Sequence, residues 1–336
     1  MSDAGRLVMG SAAFVALVAI EVLTPGWFFA AEVAASEEDL GHLAAHEDAD
    51  TLCPRFDAPG HRKYALTAEQ ILWEVEPGNV IPVWAWNGSI PGPTLCARVG
   101  DTVEVKITNR LPTIISFHTH GLRFEPLSDG TFHTGSYAVP GGTYTYRFSV
   151  GEDSVGTWAY HDSVAEMDES PFVPGVSTPE SGEGIERGLY GAFVVQAADE
   201  AEVDHEFVVA MSDMGPEVSR GGTYMLVNGR ASPLTPTFHV MEGEKVRFRL
   251  INAGPNDPHD FIVRGHALTN AHTARVVDGA SEDEGRRTSV VLGSLTFGDY
   301  TTVAGAPGEY EYLCLVGDHA SMGMKGRFVV HPRIEN

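Results

Sequence analysis

The sequence predicts an all-β protein built as two β-sandwich domains in tandem. Three observations carry that prediction. Glycine and proline are abundant, at 37 and 20 of 336 residues, while long amphipathic helical patterns are scarce, so turns and short strands should dominate. From about Tyr64 onward, apolar and polar residues alternate in short runs bounded by turn residues, the period of a strand with one buried face. An internal repeat then divides the folded part into two copies.

The repeat has three matching stretches. Residues 100–109 (GDTVEVKITN) match 243–252 (GEKVRFRLIN), with Val103, Val105 and Ile107 answering to Val246, Phe248 and Leu250. Residues 156–161 (GTWAYH) match 308–313 (GEYEYL), and 191–195 (GAFVV) match 326–330 (GRFVV). These place one sandwich at 64–197 and a second at 206–332, joined by an acidic linker at 198–205.

Ahead of the sandwiches, residues 1–35 read as an export signal. Arg6 precedes an apolar run at 7–20, and small residues at Ala30-Ala31 and Ala34-Ala35 offer cleavage sites. That run suits a signal peptide and is short for a membrane span. The alternative is an uncleaved anchor, with Trp27, Phe28 and Phe29 at the lipid interface. Either way the folded part is expected outside the cytoplasm: secreted, periplasmic or at the cell surface. Residues 36–63 are expected to form an acidic flexible segment, with His42 and His46 as solvated side chains.

The formal net charge is -24. It argues against nucleic acid and against anionic membrane surfaces as partners, and fits a solvated acidic exterior. There are three cysteines. Cys53 and Cys96 are either a disulfide, which export permits, or two buried free thiols. The third cysteine carries chemistry.

Residues 312–324 read YLCLVGDHASMGM. Cys314, His319 and Met324 place a thiolate, an imidazole and a thioether on one short loop. Those are soft donors that suit copper, and with one more imidazole they make the trigonal Cys and two-His set with an axial Met of a blue-copper site. The second imidazole is expected from His259. The equivalent positions in the first repeat are Asp162, for Cys314, and Leu189, for Met324, so the first domain has no such site.

The first domain has histidines of its own. His118 and His120 alternate near a strand end and share a face. His161 ends another strand. Three neutral imidazoles are a common metal set for copper or zinc, and a hydrogen-bonded polar cluster is the alternative.

Together these stretches make a resemblance specific. Residues 90–94 (IPGPT), 117–122 (FHTHGL), 139–143 (VPGGT), 160–162 (YHD), 188–191 (GLYG) and 314–326 resemble the small two-domain multicopper oxidases of the bacterial laccase kind, whose domains are cupredoxins. The resemblance covers about residues 80–332 and implies type 1 copper ligands at His259, Cys314, His319 and Met324. Its trinuclear cluster would need histidine at His118, His120, His161, Ser163, Ile262, Arg264, Leu313 and Leu315, and only the first three are histidine. Leu313 and Leu315 stand where the family's electron route leaves the cysteine, so four-electron oxygen reduction is not expected.

The resemblance also implies a homotrimer. In such a ring His266 of a neighbour is expected to approach the three-His site, and Asp162 beside it is either a proton donor or a surface or salt-bridged carboxylate. This would be similar to the type 2 centre of copper nitrite reductases. The insertion at 164–187 is expected to be a mobile acidic loop near His161. The expected function is an exported protein carrying single electrons through one type 1 copper, exchanged with a redox partner protein or a small electron donor. The alternatives are an oxidoreductase using a second copper or zinc at the three histidines, of nitrite-reductase or metal or phenol oxidase type, and a copper storage or resistance protein.

Overall fold

A computed structural model describes residues 53–164, 183–219, 221–272 and 286–333. The export segment, His42, His46 and most of the 164–187 insertion lie outside the described residues.

The first domain contains β1 (His61–Glu76), β2 (Asn79–Trp86), β3 (Gly92–Arg98), β4 (Thr102–Asn109), β5 (His118–Thr119), β6 (Arg123–Phe124), β7 (Thr143–Ser149), β8 (Gly156–His161) and β9 (Tyr190–Gln196). They form two sheets, β2-β1-β4-β7-β6 and β3-β9-β8-β5. The second domain contains β10 (His205–Met214), β11 (Tyr224–Val227), β12 (Thr237–Met241), β13 (Lys245–Asn252), β14 (His259–Val263), β15 (Leu268–His272), β16 (Arg286–Arg287), β17 (Val290–Leu292), β18 (Phe297–Val303), β19 (Gly308–Leu313) and β20 (Lys325–His331). Its sheets are β11-β10-β13-β18-β15-β16 and β12-β20-β19-β14-β17. The predicted all-β fold of two tandem sandwiches holds.

The repeat is visible in register. The first half of β1 pairs parallel with β4 and its second half antiparallel with β2, so Ala68 faces both Asn109 and Trp86. In the second domain β10 does the same, with Met211 facing both Asn252 and Val227. Each copy then turns through an Asn-Gly pair, Asn87-Gly88 and Asn228-Gly229, with φ of 51° at both asparagines. Asparagine and glycine tolerate that left-handed backbone, which the tight turn needs. The asparagine side chains complete each turn by accepting from Thr67 N and Ala210 N, both at 2.7 Å.

The first strand begins at His61, ahead of Tyr64, and residues 53–63, expected to be flexible, are tied to the first sandwich. Arg98 donates to the carbonyl of Phe56 at 2.6 Å, and the Arg62 guanidinium lies 3.7 Å above the Phe56 ring. Cys53 and Cys96 form a disulfide across a sequence separation of 43, which resolves the two alternatives above. Closing a loop of that length should stabilise the fold by up to about 4 kcal/mol, chiefly by restricting the unfolded chain. Cys96→Ser is therefore expected to lower the denaturant midpoint, and treatment of the unmutated protein with reductant should reproduce most of the drop.

The domains share a continuous apolar core. Val208, Ala210, Leu226, Ile251 and Phe297 of the second domain join the cluster centred on Trp73, Trp86, Tyr146 and Phe193 of the first. At the same interface sits a buried ionic network. Arg249 reaches Glu206 at 2.7 Å, Glu200 at 3.1 Å and Asp299 at 3.4 Å. Thr157 of β8 donates to Asp299 and accepts from Arg249 at 3.3 Å. Burial works against the guanidinium charge, but Asp299, Glu206 and Glu200 outweigh it and raise the pKa of Arg249.

Candidate metal centres

Among the described residues, two clusters of three donor side chains form, one in each domain: His118, His120 and His161, and His259, Cys314 and His319. In each, the ligand atoms lie within 4.8 Å of one another.

The second-domain cluster is assembled by strand ends and one buried asparagine. β13 ends at Asn252, which is fully buried. Its amide donates to the carbonyls of Asp257 at 2.8 Å and Leu292 at 3.1 Å, and accepts from Gly254 N at 2.9 Å. These bonds hold the loop that delivers His259 to the start of β14. Asn109 does the same in the first domain, binding Thr113 O at 2.7 Å and Ala138 O at 2.9 Å ahead of His118. Both asparagines close the first matched stretch of the repeat, Asn109 answering to Asn252, and that shared position is their signal in the sequence.

Cys314 directly follows β19. Its amide donates to Met324 O at 3.0 Å, and Met324 N donates to His319 O at 3.0 Å. The loop is thus closed on itself by the backbones of three expected ligands. His259 Nδ1 stands 3.2 Å from His319 Nδ1, and Cys314 Sγ 3.6 Å from that nitrogen. His259, Cys314, His319 and Met324 are all buried.

This donor set fits copper. Three soft or borderline donors converge in a dry pocket, and two imidazole nitrogens face each other where one cation would satisfy both. Burial, with His319 beside it, pushes the His259 pKa down to about 3, so the imidazole is neutral and ready to ligate. Burial pushes the Cys314 thiol upward from its ordinary 9.0. Metal binding must therefore expel that proton. Between about pH 7 and 9 the apparent affinity should rise about tenfold per pH unit. A competition titration against a chelator of known pH dependence checks this; a flat profile would contradict it.

One position supporting His259 is tight. Its Nε2 and the Oδ1 of buried Asp213 have no hydrogen-bond partner. Both lie against Gly254, where an added Cβ would stand 3.2 Å from the nitrogen and 2.2 Å from the oxygen. Gly254→Ala is expected to displace His259 and weaken copper retention by about tenfold or more, since outer contacts of metal ligands carry that much.

In the first domain the cross-strand pair His118↔His161 joins β5 to β8. His120 Nε2 lies 3.1 Å from His161 Nε2. His118 Nδ1 and His161 Nδ1 donate to the carbonyls of Asp129 and Asp162. A carbonyl only accepts, so in the neutral rings both Nδ1 atoms carry the proton and both Nε2 atoms are unprotonated, that of His161 facing His120 Nε2. Burial, then His118, lowers the His120 pKa to about 4; burial, then His120, lowers that of His161 to about 3. Neutral imidazoles with presented lone pairs are what a metal needs.

Asp162 sits where Cys314 sits in the other copy. Asp162 N donates to Leu189 O at 3.0 Å as Cys314 N does to Met324 O. Its Oδ1 accepts from Ser116 N at 2.7 Å, as Cys314 Sγ accepts from Asp260 N at 3.2 Å. Burial pushes this carboxyl up to about 7. The carboxyl turns toward Ser116 and Gly184, and its residue meets the histidines through the main-chain carbonyl.

The expectation for His266 needs correction. It is buried in its own domain, donating from Nδ1 to Arg264 O and accepting at Nε2 from Gly305 N, both at 3.0 Å. Both ring nitrogens are used, so it has no lone pair for a metal at a neighbour's site. Where the first domain pairs His118 with His161, the second pairs Ile262 with Leu313, both buried. Leu315 is 55% exposed, and Arg264 pairs with Glu311 at 3.1 Å.

Comparison with known proteins agrees with this geometry. Two multicopper oxidase family models match residues 67–200 and 201–320. A probable nitrite reductase-hydroxylamine oxidoreductase fusion protein of Kuenenia stuttgartiensis is 27% identical over 288 residues, covering 79% of this chain and 31% of that protein. Multicopper oxidase MmcO of Mycobacterium tuberculosis is 27% identical over 224 residues, covering 58% of this chain and 44% of that protein. The chain thus spans less than half the length of these curated relatives. The solved blue copper oxidase from Nitrosomonas europaea shares the fold, with a TM-score of 0.67 at 23% identity over 80% of this chain and 86% of that one. With family models matching most of both sandwiches and the copper-type donor set assembled in the second, this chain belongs to the multicopper oxidase family.

Proposed function

We propose that this protein carries single electrons, with His259, Cys314, His319 and Met324 holding one copper ion. The observation that carries this reading is the closed Cys314–Met324 loop, which buries a thiol and an imidazole against His259. Copper in such a set alternates between its two oxidation states and exchanges one electron at a time. The residues' part is to hold the donors in place and keep water out; Phe261 and Tyr312, both buried, pack beneath the loop.

Leu313 and Leu315 support a function that stops at electron transfer. Neither side chain offers a donor, and neither do Ile262 or Arg264 at the other cluster positions. Visible absorption and electron paramagnetic resonance of copper-loaded protein, with copper counted per chain, test the reading. An intense thiolate-to-copper band is expected. Copper uptake without such a band would overturn it and favour storage or delivery.

A second reading is favoured by the lone pairs at His118 and His161: a second copper, or zinc, at the three histidines, serving a reaction of a small substrate such as nitrite. A second, colourless copper lost in His118→Ala plus His161→Ala supports it, as does nitrite turnover lost in the same variant. A count of one copper unchanged by those substitutions would end it. An extracytoplasmic location is supported by the Cys53–Cys96 disulfide. A homotrimer is supported by family resemblance, and sedimentation of the full chain tests it.

A further inference from the structure

We propose that His239 and His331 form a third metal site, for a divalent transition cation such as cupric ion, on the outer face of the second domain. β12 and β20 run parallel at this face, with His239 opposite Val329 and Met241 opposite His331. Phe238, Val240, Phe328 and Val330 point into the core, so by strand alternation His239, Met241 and His331 point outward together.

The two imidazoles are set for a shared ion. His239 Nδ1 lies 3.0 Å from His331 Nε2, and the rings are 5.2 Å apart and 18° from parallel. Two nitrogens bound to one metal at about 2.0–2.1 Å stand about 2.9 Å apart at a right angle and about 3.3 Å apart at the tetrahedral angle. The observed separation lies between. It also matches the two centres described above, where the corresponding separations are 3.1 Å for His120 and His161 and 3.2 Å for His259 and His319. Among the described residues these are the three places where ring nitrogens of two histidines approach so closely.

The other polar contacts are also informative. Elsewhere on the surface His205 is taken up by Glu244 and His61 by Thr102, both at 2.8 Å. His239 and His331 make no other hydrogen bond through their rings among the described residues. Met241, 43% exposed, adds a thioether on the same face. The net charge of -24 raises the concentration of cations at the surface. Among divalent first-row ions, copper binds such an imidazole pair most tightly. The site is separate from the Cys314 centre: β20 starts beside Met324 and ends at His331, about 20 Å further along at strand rise.

A direct imidazole–imidazole hydrogen bond would show the same separation, and titration distinguishes the two. Full-length protein, already copper-loaded and desalted, is titrated with cupric ion and followed by paramagnetic resonance. The unmutated chain is expected to take up one more cupric ion than His239→Gln or His331→Gln, with each substitution weakening that uptake by about tenfold or more. The thiolate band should be unchanged in both, because the site is remote from Cys314. A measurement without variants accompanies it. Cupric ion should protect His239 and His331 together from diethyl pyrocarbonate in the unmutated protein, read by peptide mass. Equal uptake in all three proteins, or modification of both histidines unaffected by cupric ion, overturns the proposal.

Discussion

Cys314→Ser is expected to abolish the intense visible band of the copper-loaded protein while leaving the metal-free fold close to intact. Serine is nearly the same size as cysteine, and the amide of Asp260, which donates to the sulfur at 3.2 Å, would have a hydroxyl oxygen to bond instead. The metal-free protein should therefore lose no more than about 1–2 kcal/mol. The copper-dependent part should vanish. Copper at about a thousand times its dissociation constant stabilises the unmutated protein by about 4 kcal/mol through binding only the native state, and this increment should be absent in the variant. Thermal melts with and without copper separate the two effects. A variant that keeps the visible band would show that Cys314 is not the thiolate ligand.

The second large effect is expected at the domain interface. Arg249→Met removes one of the two guanidinium groups that face Glu206 and Glu200, and the one that faces Asp299. Arg247 still pairs with Glu206 at 2.5 Å and with Glu200 at 3.0 Å, but Asp299 is buried and would lose its cation, which costs about 3–5 kcal/mol. The consequence should reach the first-domain histidines. Thr157, which bonds both Arg249 and Asp299, lies on β8, whose last residue is His161. Phe297 of the second domain packs against both His120 and Trp158, with ring centroids 5.2 and 5.4 Å away in tilted and edge-on contact. Chemical denaturation should show a lowered midpoint in Arg249→Met. Metal uptake at the three histidines should weaken more than uptake at Cys314, whose loop is closed within its own domain. Equal stability in the variant would contradict the assignment of Arg249 as the cation that compensates Asp299.

The relation between the two halves explains why the centres differ. The same backbone hydrogen bonds frame Asp162 and Cys314, and the same cross-strand position carries His118 with His161 in one domain and Ile262 with Leu313 in the other. One scaffold thus presents imidazoles where the other presents aliphatic side chains, and a thiol where the other presents a carboxyl. A ligand set in this fold is a matter of which side chains occupy a few framed positions, because the loop backbones are held independently by Asn109 and Asn252.

Much of this was legible in the chain. The strand alternation and the matched stretches determined two sandwiches, because a half-buried strand imposes a period of two on its side chains. The donors at Cys314, His319 and Met324 were legible because they lie on one loop, and the resemblance supplied His259. What sequence could not decide was set by contacts between distant segments. The pairing of Cys53 with Cys96, the satisfaction of both nitrogens of His266 by Arg264 and Gly305, and the turn of the Asp162 carboxyl toward Ser116 all depend on which loops meet. So does the approach of His239 to His331, which are ordinary surface histidines in the sequence and become neighbours only because β12 pairs in parallel with β20. Local pattern determines which face of a strand is buried; only the packed strands determine which side chains share a face and therefore which donors can share an ion.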